Sequence, residues 1–150
     1  MLKLIMITVL VLDTNVWISG ILFKGSPYRV VRRIREGRAL AVCSDALYAE
    51  FHRVAHSRKV RHILQPRFQT PESLIAVHRQ LTVPVFPLAP PAPPPGLRDM
   101  DDLAVLACAS TRGVSAILTG DKDLLVLESY QSIPILTPRQ WLDQEGDPGP

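Results

Sequence analysis

Cysteine is nearly absent from this chain, and so is any long uninterrupted apolar run. Only Cys43 and Cys108 occur among 150 residues, far apart, in apolar stretches and without metal-ligand spacing. That pattern excludes a disulfide scaffold or a cysteine-based zinc module, and two buried thiols fit a reducing cytoplasm. The apolar stretch that follows Lys3 could imitate a secretion signal. It meets Asp13 with no small-residue cleavage site and is too short to span a bilayer, so neither export nor membrane insertion is expected. Histidine offers no metal site either. His52 and His56 lie four apart, but no Glu sits between them as in a metalloprotease, and their neighbours Arg53, Arg58 and Lys59 suit a phosphate-facing or solvated surface. His62 and His78 have no partner pattern, and no internal repeat is evident. What remains is a chain that is 47 % hydrophobic, enough for one good core and too apolar for disorder.

The net charge of +3 hides an asymmetry. From Lys24 to Arg79 the chain carries 12 Lys or Arg against four acids, Glu36, Asp45, Glu50 and Glu72, a local surplus of eight. The other acids lie mostly from Asp99 onward. A basic half beside an acidic cluster suggests a polyanion lying near bound cations. Taken singly, Arg32, Arg33, Arg35 and Arg38 could equally be the solvated face of one helix.

The stretch from Leu4 to Asn15, LIMITVLVLDTN, organises the rest. Its β-branched apolar run reads as a strand buried on both faces that ends directly in Asp13. A carboxylate at the carboxyl end of a buried strand sits where open α/β sheets bind ligands, although Asp13 and Asn15 could also serve only to cap the next helix. A short apolar piece, Val16 to Phe23, follows. Ser26-Pro27 then starts a helix that Gly37 ends, and Ala39 to Cys43 is a second strand. Ser44 caps a helix with Leu47, Tyr48, Phe51 and Val54 at helical spacing. Glu50 rides on it either as an exposed residue or as a site residue, and spacing leaves both open. Thr70-Pro71 starts another helix, and Val83 to Phe86 is a third strand placed toward an edge by Pro84. The proline-rich run at 89–96 is a stiff connector inside one domain rather than a boundary. Asp99, Asp101 and Asp102 open a helix that closes at Gly113. Val114 to Leu118 is a fourth strand running into Thr119-Gly120-Asp121-Lys122-Asp123, Ile133 to Leu136 is a fifth, and Thr137-Pro138 caps a last helix. One domain over residues 1–143 with a frayed tail at 144–150 is expected. Strand and helix alternate throughout, which means an α/β domain with a central, mostly parallel sheet of about five strands.

Asp13 and Asp121 both follow buried strands and should project from the same sheet edge. Asp102 can reach that edge, and Glu50 can join if its helix leans over the crevice. Several carboxylates in one cleft are unfavourable unless their pKa values rise or a hard divalent cation sits between them. Oxygen-only ligands point to Mg²⁺ or Mn²⁺, and a cation so held activates water and stabilises charge on a phosphodiester. Acids and basic half together argue for metal-dependent cleavage of nucleic acid.

The segments LVLDTNVWISG, SDALYAEFHRV, RDMDDLAVLACA and AILTGDKDLLVL, followed by ILTPRQWL, resemble the successive motifs of the PIN-domain family, in particular the PIN-type toxins of toxin–antitoxin systems, similar to VapC toxins. The likeness covers nearly the whole chain in order. It implies a three-layer α/β/α domain and a Mg²⁺- or Mn²⁺-dependent ribonuclease with Asp13, Glu50, Asp102 and Asp121 as metal-binding and catalytic positions. Asn15 and Thr119 would orient the first and last acids, and Asp99 and Asp123 would be accessory. Whether Asp101 or Asp102 is the third acid depends on helix register. Arg32, Arg33, Arg53, Arg58 and Lys59 become candidates to hold single-stranded or structured RNA. The resemblance also implies a cognate antitoxin and a toxin homodimer. The chain departs from the family pattern at Leu103 and Ala104, just after the third acid, and in the proline run. A haloacid-dehalogenase-type phosphatase fits less well, because Asn15 and Leu125 stand where that family has Asp. A non-catalytic RNA-binding adaptor of the same fold is the remaining alternative.

Overall fold

The computed structural model describes residues 7–88, 92–111 and 113–146. The expected strand start at Leu4, part of the proline-rich connector (89–91) and the last four residues of the expected tail lie outside the described residues. The elements, in order, are β1 (Thr8–Leu12), α1 (Thr14–Leu22), α2 (Ser26–Arg35), β2 (Ala39–Cys43), α3 (Asp45–Ala55), α4 (Arg58–Leu64) and a 3-10 turn (Gln65–Arg67). After these come α5 (Pro71–Leu81), β3 (Thr82–Pro84), α6 (Met100–Ala109), β4 (Ala116–Leu118), α7 (Lys122–Leu125), β5 (Ser129–Tyr130), β6 (Ile133–Leu136) and α8 (Pro138–Gln144).

Six strands form one sheet in the order β3-β2-β1-β4-β6-β5, parallel except for β5 against β6. The sixth strand, β5, is the addition to the five expected. Two residues long, it has no room to show a period. β3 takes the outer position expected of a strand containing Pro84, which pairs with Cys43 and leaves its missing donor toward the open edge.

Alternate residues of the central strands feed two cores. Leu10 and Leu12 of β1 and Ala116 and Leu118 of β4 pack with α1, α2, α5 and α8 on one face. Val11 and Ile117, their neighbours, pack with α6 and Leu124 of α7 on the other. α3 bridges the two, giving Leu47 to the second core and Phe51 and Ala55 to the first. Phe51 lies flat on the His78 ring at 3.9 Å, with Trp17 edge-on to the same ring at 4.9 Å. Cys43 and Cys108 are buried free thiols, and burial raises both, Cys108 to about 11.

Local chemistry explains where the helices start. Thr70 with Ser73, and Thr137 with Gln140, form capping boxes at α5 and α8. Ser44 and Ser57 cap α3 and α4 by accepting from Leu47 and Val60. At α2 the cap is Gly25, and Ser26 is already the first helical residue. Gln144 closes α8 rather than opening the tail. Among the described residues no helix is long and apolar enough to cross a membrane.

The order of strands decides where a ligand can bind. From β1 the chain moves outward on one side through β2 and β3, then returns to place β4 on the other side of β1. α1 leaves β1 on the first face, while Leu124 of α7 leaves β4 into the second core. The carboxyl ends of β1 and β4 therefore flank a topological switch point, where open parallel sheets leave a crevice.

Candidate active site

β1 and β4 pair as far as Leu12 with Leu118, and the Asp13 amide extends the ladder to the Leu118 carbonyl at 2.9 Å. Beyond that bond both chains turn polar. Asp13 caps α1, its Oδ1 accepting from the Thr14 amide at 2.8 Å and its Oδ2 from the Thr119 hydroxyl at 2.7 Å. The same Thr119 oxygen accepts the Asp121 amide at 3.0 Å. One fully buried threonine thus ties the ends of both strands together. Asp121 in turn caps α7, accepting from the Asp123 amide at 2.8 Å.

Two further acids lean in from helices. Asp99 caps α6 by accepting the Asp101 amide at 2.8 Å, which fixes the register of the residues behind it. Asp102 is then buried toward the sheet, and Asp101 is turned outward to Arg53 of α3 at 2.9 Å. Glu50, also buried, receives a hydrogen bond from the Thr14 side chain.

Crowding of these acids shows in their acidity. Burial raises the Asp13 carboxyl against the lowering effect of its bonds from Thr119 and Thr14, and the Asp121 and Asp101 charges add to the rise. Burial likewise raises Glu50, with Asp101 and Asp13 as further repulsion. Asp102 is pushed up to about 7, first by burial, then by the Asp121 and Asp99 charges and a hydrogen bond shared with Asp121. Below neutral pH it holds a proton.

Among the described residues, Glu50 Oε2 and Asp102 Oδ2 are buried with no hydrogen-bond partner. Leaving a buried carboxylate oxygen unsatisfied is costly, so such atoms mark a place where something else belongs. Oxygens of Asp102, Asp121 and Asp123 lie within 4.8 Å of one another. An oxygen-only donor set with spare lone pairs fits a hard divalent cation.

The remaining sequence candidates divide. Asp123 comes into the group that could hold an ion, whereas Asp99 serves as the helix cap beside it. Asn15 is exposed on α1, and the bonds on Asp13 come from Thr14 and Thr119. Arg53 borders the acids through Asp101. Arg58 and Lys59 are exposed in the first turn of α4, past the end of α3. Arg32 and Arg33 sit in the last turn of α2, three residues before β2 begins. Since β2 runs parallel to β1, that turn lies at the amino edge of the sheet, opposite the acids. Neither histidine of the α3 pair joins the acids. Their rings lie 4.4 Å apart, and His56 is held by the His52 carbonyl and by Glu72. Thr14 is the site residue that sequence reasoning passed over, and its only signal was a hydroxyl directly after the acid that ends a buried strand.

A family model described as the PIN domain matches residues 9–123, a span containing all four acids. No curated protein and no solved structure matches the chain.

Proposed function

The chain belongs to the PIN-domain family, whose members are in general metal-dependent nucleases, and from that premise we propose that it is a Mg²⁺- or Mn²⁺-dependent endoribonuclease. Four carboxylates brought by four elements to one sheet edge, two of them with buried unpartnered oxygens, support this above all. When bound, the cation supplies Lewis-acid charge that activates water and offsets charge developing on the phosphodiester.

Asp102, Asp121 and Asp123 offer the oxygens to hold it. Asp102 gives up its proton to act as a ligand, so affinity rises with pH up to about neutrality. Thr119 holds Asp13 in place from one side of the cleft, and Thr14 holds Glu50 from the other. Arg53 stands beside the acids, where the RNA backbone passes. Cleavage of end-labelled single-stranded RNA in Mn²⁺ or Mg²⁺, compared with EDTA and with Asp13→Asn, tests this. Cutting that needs both the metal and Asp13 is expected. Equal cutting by the Asn variant would refute the assignment, and metal-independent binding without cutting would favour an adaptor.

The order of the motifs supports a narrower role as the toxin of a type II toxin–antitoxin pair. In that role a cognate antitoxin covers the acidic cleft, best with a basic side chain, and the toxin pairs as a homodimer. Expression of the chain alone should arrest a bacterial host in an Asp13-dependent manner. A host that grows normally while making active nuclease would point to ordinary RNA turnover.

A further inference from the structure

Between Glu50 and Glu72 the chain carries Arg53, Arg58, Lys59, Arg61 and Arg67, three histidines and no acid. These residues form the outer end of α3, all of α4 and the 3-10 turn. Directly after that turn stands Phe68, which is 98 % exposed. Its backbone is left-handed, at φ 54° and ψ 34°. The helix is closed there by bonds from the Phe68 amide to Gln65 and from the Gln69 amide to Leu64, both 3.2 Å. Glycine suits such a closing position, and a bulky ring strains it. The ring buries nothing in return, so neither backbone preference nor packing accounts for phenylalanine here.

The surroundings indicate what the ring is for. A groove of about 640 Å³ beside it is lined by Arg61, Leu64, Gln65, Gln69, Thr70 and one acid, Glu72, which is turned to His56 at 3.2 Å. On the other side the Arg67 guanidinium lies 5.1 Å over the exposed Phe23 ring and donates to the Leu22 carbonyl. Leu22 ends α1, and the nine residues of that helix set it about 13 Å from Asp13. Exposed rings set among cations and side-chain amides match a polymer that alternates anionic phosphates with flat bases.

We propose that Phe68 is the base-stacking platform of a basic arm, Arg58 to Phe68, that holds single-stranded RNA a few nucleotides from the acidic cleft. The choice of RNA rests on the nuclease assignment above, and the stacking itself does not. Phosphates lie along Arg58, Lys59 and Arg61, a base stacks on Phe68, and Gln65 and Gln69 face its edge.

The test is fluorescence anisotropy of a labelled uridine-rich RNA of about 12 nucleotides in EDTA, where binding proceeds without metal. Phe68→Gly should weaken binding by about 5- to 150-fold, the range of one aromatic–base stack. Its melting temperature should not fall, because glycine relieves the left-handed position. Phe68→Trp should keep the affinity, and its indole emission should be quenched as RNA is added. Arg61→Gln should lower the salt slope of binding by about 0.7. Equal RNA affinity in Phe68→Gly and the parent protein would overturn the proposal and leave the ring to a protein partner, whether or not the enzyme cuts RNA. Phe68-dependent binding by a protein that fails to cut in any metal would uphold the arm and refute the nuclease.

Discussion

Replacing Asp102 by Asn should stabilise the metal-free protein, and the gain should depend on pH. The side chain keeps its shape and, like the protonated acid, carries no charge. In the folded chain Asp102 titrates at about 7, against an ordinary value of 3.8. Between those values the folded state holds a proton that the unfolded state has lost, so stability falls as pH rises through the window. Three pKa units at about 1.4 kcal/mol each set a ceiling of about 4 kcal/mol above neutrality, shared with the other carboxylates of the cleft. In a chain of this length about 1 kcal/mol moves the melting temperature by about 3 °C. Thermal unfolding in EDTA should therefore show Asp102→Asn melting up to about 10 °C above the parent near pH 8, with the difference less than half as large near pH 5 and gone below about pH 4. Mn²⁺ should reverse the order by stabilising the parent and not the variant. A variant no more stable than the parent near pH 8, or a gain equal at both pH values, would refute the reasoning that crowded carboxylates destabilise the empty cleft.

Three further outcomes follow from particular contacts. Thr119→Val should cut activity by about 10- to 100-fold without unfolding the chain, because it frees Asp13 and the Asp121 amide together, and Thr119→Ser should restore most of it. Gly20→Ala should cost about 1–3 kcal/mol in urea unfolding, since a Cβ there would stand 2.8 Å from the Pro27 carbonyl oxygen, a backbone atom that cannot move aside cheaply. Burial lowers His78 to about 3, so the unfolded chain gains a proton below about pH 6.5 that the folded chain refuses. Stability should drop by about 1.4 kcal/mol per unit as pH falls from there toward 3, and His78→Phe, which keeps the stack on Phe51, should flatten that slope.

The acids at strand ends were legible for a physical reason. A parallel strand buried on both faces leaves an apolar run without a period, and the first carboxylate after it can only lie at the sheet edge. β1 with Asp13 and β4 with Asp121 follow that rule. α1 was not legible as a helix, because Val16, Trp17, Ile18, Gly20 and Leu22 are buried nearly all round and leave no polar face to set a period. The choice between Asp101 and Asp102 turned on Asp99 being the cap, since adjacent helix residues point about 100° apart and only one can face the cleft. The bond from Thr14 to Glu50 joins residues distant in sequence and has no local signature. The position of Arg32 and Arg33 opposite the acids follows from strand direction, which a list of charges does not contain.

The most direct test of the acidic cleft as the catalytic metal centre is an anomalous-scattering map from crystals soaked in Mn²⁺. A peak bounded by Asp102, Asp121 and Asp123, lost in Asp102→Asn, is the expected result. A well-ordered cleft without a peak at Mn²⁺ concentrations that support RNA cleavage, or a peak held by other residues, would contradict it.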